Sequence, residues 1–72
     1  MSKPSWDELP EWVNWIWIGS SGAWVAGYIK PRWDILIGCY VARDNSRWDV
    51  FGDTGLPEWS RSIRKNSLER RP

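Results

Sequence analysis

The chain has no histidine and a single cysteine among its 72 residues. Each shortage closes a class of chemistry. Without His, neither a Ser-His nor a Cys-His nucleophile pair can be assembled. Cys39 has no second cysteine to form an intrachain disulfide, and one thiol without an imidazole makes no ordinary zinc site. No metal and no cofactor are expected. Asp and Glu remain as acid–base candidates, but Asp7 and Glu8 stand in a polar amino-terminal segment and read as charge at a helix entry. Gly19-Ser20-Ser21-Gly22 lacks the Lys and the following helix of a phosphate loop and reads as a turn. The chain is therefore expected not to be an enzyme. No run approaches the ~18 apolar residues that span a bilayer. The opening Met-Ser-Lys-Pro has no apolar core of signal-peptide length. A lone thiol and no export signal lead to the expectation of a cytoplasmic protein with no membrane partner.

What is abundant is tryptophan, eight in all, four of them within WDELPEWVNWIW at residues 6–17. A domain of this length buries only ~60% of the surface of its unfolded chain. Each buried Trp can remove roughly 150–250 Å² from water. An unstapled small domain gains most core area per residue from Trp, so most of these rings are expected to be structural. Net charge is +1, which selects no partner, but it is unevenly spread. Residues 1–29 hold Lys3 against Asp7, Glu8 and Glu11, a net of −2; residues 60–72 hold Arg61, Arg64, Lys65, Arg70 and Arg71 against Glu69, a net of +4.

Pro10 is tolerated in the first turn of a helix but not deep inside one, so a helical turn is predicted at about residues 9–14. From Val13 the pattern alternates: Val13, Trp15 and Trp17 against Asn14, Ile16 and Ile18. The turn at residues 19–22 leads into a return strand at 23–30, AWVAGYIK, which Pro31 ends. Residues 34–42, DILIGCYVA, form the most continuous apolar run and are predicted as a well-buried strand, with Gly38 marking a bulge. Residues 47–51, RWDVF, give a fourth short strand with Trp48 and Val50 on one side. Leu56-Pro57-Glu58-Trp59 repeats Leu9-Pro10-Glu11-Trp12 and begins a carboxy-terminal helix, in which Leu56, Trp59 and Ile63 share a stripe. The fold class expected is α+β, mainly β. It is a three- or four-stranded antiparallel meander with a short N-terminal helical turn and a short C-terminal helix or arm. One domain covers residues 1–72, with 1–5 and 66–72 read as flexible ends.

The tryptophans divide by context. Trp15, Trp17, Trp24 and Trp48 lie in strand patterns and are expected in the core. Trp6, Trp12, Trp33 and Trp59 lie at element ends, where some of them should be partly exposed. Trp and Arg are enriched at binding hot spots, which makes Trp6, Trp12, Arg32, Trp33 and Trp59 the candidate protein-binding residues. The alternative set is a nucleic-acid site on Trp59, Arg61, Arg64, Lys65, Arg70 and Arg71, with phosphate contacts from the cations and a base stacked on the ring. A homo-oligomer formed through an unpaired edge strand is a further expectation.

The pattern as a whole resembles the small Trp-rich accessory proteins of tailed bacteriophages. Residues 6–24 run from Trp6 through Pro10-Glu11-Trp12 to Trp15, a Gly turn and Trp24, and the chain closes with Ser67-Leu68-Glu69-Arg70-Arg71-Pro72. The family pattern is W-x3-P-[DE]-W-x2-W followed later by S-L-x-x-R-P. Here the turn carries Ser20-Ser21 where acidic residues are usual, and Trp59 lies eight residues before Ser67 instead of close to it. The resemblance implies a viral protein acting in the host cytoplasm without catalysis, by binding a host or phage protein.

Overall fold

The computed structural model describes residues 4–53 and 61–72. Among the described residues, six strands and one short helix follow a 3-10 turn: β1 (Trp15–Ile18), β2 (Ala23–Gly27), β3 (Arg32–Asp34), β4 (Cys39–Val41), β5 (Trp48–Asp53), α1 (Arg61–Asn66) and β6 (Glu69–Arg70). The fold is α+β and mainly β, with antiparallel strands throughout. β5-β2-β1-β6 form a four-stranded sheet, and β3-β4 form a separate hairpin inserted between β2 and β5.

The N-terminal helical turn sits at Trp6–Glu8, not at residues 9–14. Leu9 precedes Pro10, and the ring of a proline pushes the residue before it into extended backbone. Leu9 has φ −90° and ψ 146° and ends the turn instead of starting it. Ser5 supplies the cap, its hydroxyl accepting the amide of Asp7 at 3.3 Å.

The hairpin β1–β2 forms where the Gly turn predicts it, with Ile18 opposite Trp24 and Trp15 opposite Gly27. Gly19 donates to the Ala23 carbonyl at 2.8 Å, and Gly22 adopts φ 84°. Alternation then sends the two sides of the sheet to two different layers. On one side Ile16, Ile18, Trp24 and Ala26 join Leu9 and Val13 in the main core, with Trp6, Trp12 and Phe51 packed at its margin. On the other, Trp17 is 1% exposed and lies across Gly27, where a Cβ would come within 2.7 Å of its ring.

The longest apolar run is not a buried strand. Residues 34–42 are split by a loop between β3 and β4, and Ile35, Leu36 and Ile37 are 76%, 88% and 55% exposed. The cause is local. Asp34 Oδ1 accepts the amides of Leu36 and Ile37 at 2.9 and 3.4 Å, the Asp34 carbonyl accepts the Gly38 amide at 2.8 Å, and Gly38 takes φ 69°. An Asp opening a turn and a Gly closing it in left-handed backbone outweigh apolar continuity. Trp48 is the second correction. Expected in the core, it is 54% exposed. β5 is an edge strand, and the β3–β4 hairpin packs on β1 and α1 without extending over it.

The chain end expected to be flexible, residues 66–72, carries β6, which pairs Glu69 and Arg70 with Ile16 and Trp15. Beyond β6 the Ser67 hydroxyl takes over, accepting the Ile18 amide at 2.9 Å and donating to the Arg64 carbonyl at 2.6 Å. Arg71 donates from its backbone to the Asn14 carbonyl at 2.8 Å and from its guanidinium to the carbonyls of Val13 and Pro10. Both edges of the sheet are blunted. The Val50 amide is taken by Asp49 Oδ1 at 2.8 Å, and β6 is two residues long.

Candidate binding surface

Val50 pairs with Val25 and Trp48 with Gly27, so both share the face of the sheet that carries Trp17. β4 closes part of that face with buried Cys39 and half-buried Tyr40, but stops short of β5. The uncovered part is a groove of about 370 Å³ whose apolar walls include Trp17, Val25, Ile37, Trp48 and Val50. Ser20 and Ser21 stand at its rim. The arrangement offers an apolar slot with an exposed indole at one side and hydroxyls at the edge.

The expected protein-binding residues lie elsewhere, and three of the four described are half-buried. Trp6 donates its indole N–H to Glu69 Oε1 at 3.2 Å, and the Arg71 guanidinium lies 5.0 Å from its ring. Trp12 is covered by Arg47 at 4.3 Å. Trp33 meets Tyr40 edge-on at 4.9 Å, with Lys65 5.6 Å from its ring. Trp15 follows the same scheme, with Lys30 at 5.6 Å. These rings are each stacked against a cation of the same chain, an arrangement worth about 0.5–1 kcal/mol at an exposed site. Arg32 is exposed beside Arg43 and Asp44 in a separate shallow hollow. Trp59 lies outside the described residues.

The basic residues of the tail point to different tasks. Arg64 is buried and donates to the Gly38 carbonyl at 3.1 Å, which ties α1 to the hairpin loop. Arg71 is spent on backbone carbonyls. Arg61, Lys65 and Arg70 are exposed, with the Arg61 side chain lying over Gly38. Burial pushes the Cys39 thiol above its ordinary value, against the lowering influence of Arg64. The thiol is therefore protonated at neutral pH, the weakly nucleophilic form.

No family model, curated protein or solved structure matches this chain.

Trp48, Val50 and Ile37 were not among the sequence-level candidates. The alternation of Trp48, Asp49 and Val50 says that one side of β5 is apolar. It does not say whether another layer covers that side.

Proposed function

We propose that the protein is a non-catalytic accessory protein, of the small Trp-rich phage type its sequence resembles, that binds a host or phage protein in the host cytoplasm. The observation that carries this reading is the open groove beside Trp48. A large indole left 54% exposed next to Val50 and Ile37, in a fold short of buried area, is the kind of aromatic anchor found at interface centres. The binding residues under this reading are Trp48, Val50, Ile37 and Tyr40, while Trp6, Trp12 and Trp33 support the scaffold. The nucleic-acid reading draws less support, because Arg64 and Arg71, two of its five cations, are engaged on backbone carbonyls of the same chain.

The test is a photo-crosslinking amino acid placed at position 48 and, as a control, at exposed position 70, with the protein exposed to host lysate before and after nuclease treatment. One defined protein adduct at 48 that survives nuclease, and none at 70, is the expected result. Adducts that need intact nucleic acid, or equal labelling at both positions, would contradict it.

A further inference from the structure

The hairpin loop carries a second exposed apolar feature that the groove does not use. Ile35 and Leu36, at 76% and 88% exposure, are among the most exposed large apolar side chains described. They cannot fold inward by relaxing the loop, because Asp34 Oδ1 and the Asp34 carbonyl hold the amides of residues 36–38. Behind them stands the Trp33–Tyr40 edge-to-face pair. Two cations of α1 stand against the hairpin: Lys65 beside the Trp33 ring and Arg61 over Gly38. Asp34 Oδ1 is occupied by the loop amides.

The hairpin thus brings together an aliphatic tip, an aromatic pair and two cations. A bilayer surface presents a partner for each: acyl chains, an interface favoured by Trp and Tyr, and anionic headgroups that attract Lys and Arg. Leu36 is three residues from Trp33, at most about 10 Å of extended chain, which suits an insertion of ~5–10 Å at the headgroup boundary. We infer that the β3–β4 hairpin docks on an anionic lipid surface, with Ile35 and Leu36 entering the acyl boundary and Arg61 and Lys65 meeting the headgroups. This contact is peripheral and runs against the expectation, drawn from the sequence, of no membrane partner. Among the described residues no helix is long and apolar enough to cross a membrane.

Co-sedimentation with vesicles tests it, using phosphatidylcholine mixed with phosphatidylglycerol and phosphatidylcholine alone. The protein is expected to pellet with the anionic vesicles and to be released by salt. Leu36→Asp should weaken binding at least about tenfold, and Arg61→Gln about fivefold. Both side chains are exposed, and circular dichroism checks that each variant keeps its fold. Wild-type protein that stays in the supernatant with anionic vesicles, or Leu36→Asp that pellets like wild type, would overturn the inference. So would a concentration-dependent dimer in vesicle-free sedimentation that Leu36→Asp disperses, since the tip would then belong to a second copy. Failure here leaves the position-48 crosslink unaffected, so the two readings are tested apart.

Discussion

Trp17 and Gly27 act as a pair. The indole is buried because residue 27 has no side chain, and a methyl there would meet ring carbons at 2.7 and 2.9 Å. Gly27→Ala should therefore destabilise the fold by about 1–3 kcal/mol through overpacking, read as a lowered urea midpoint with an unchanged slope. Trp17→Ala should cost more, about 3–5 kcal/mol. Ser67 holds a different kind of leverage. It satisfies the Ile18 amide where β6 has ended. Ser67→Ala leaves that amide without its partner and should cost about 1–3 kcal/mol, whereas Ser67→Thr, which keeps the hydroxyl, should retain most of the stability. None of these roles is written in local sequence. A serine six residues from a helix start looks like any polar residue until the chain after the helix is brought against β1.

At the scale of elements, the hairpin β3–β4 is joined to α1 by polar contacts. Tyr40 donates its hydroxyl to the Lys65 carbonyl at 2.7 Å, and Arg64 donates to the Gly38 carbonyl. Burial raises both the Cys39 thiol and the Tyr40 phenol above their ordinary values of 9.0 and 10.0. Both are acids held neutral, so the folded chain keeps their protons more tightly than the unfolded chain does. The stabilisation is complete below the ordinary values and is lost as pH rises through the raised ones. Urea melts should show stability falling above pH 9.0, with less loss for Cys39→Ser combined with Tyr40→Phe. Equal alkaline loss in that double variant would refute the assignment. The β1–β2 hairpin was legible because Gly19 and Gly22 bracket two alternating runs. The β3–β4 hairpin was not, because its loop is aliphatic. Only Asp34 and Gly38, four residues apart, mark it as a turn, and Gly38 read equally well as a bulge.

For the whole molecule, the two ends of the described chain close the structure together. Arg71 reaches Pro10 and Val13, and Glu69 receives the Trp6 indole N–H. Removing residues 67–72 should thus abolish cooperative unfolding, because it deletes β6, the Ser67 bond and the Arg71 clamp at once. A truncated chain that still melts sharply would show that these links are dispensable. The fold class was readable from strand periods and turn residues, which are local signals. The candidate surface was not. Exposure depends on which layer covers which face, and that is decided by the placement of the β3–β4 hairpin over β1 rather than β5. The tryptophans at element ends looked available because nothing in the sequence pairs Trp12 with Arg47 or Trp6 with Arg71. Trp48 looked buried because it alternates like a core strand.

Under the proposed function, Trp48 is kept exposed for a partner and not for the fold. The most direct measurement compares Trp48→Ala with wild type in two readouts, thermal unfolding and complex formation with the purified partner that the position-48 crosslink identifies. At 54% exposure its truncation should change stability by no more than about 0.5 kcal/mol, a shift of at most about 4 °C for a domain of this size, while complex formation is lost. A variant that melts with wild type and still forms the complex would contradict the account, as would one that unfolds outright, which would return Trp48 to the core.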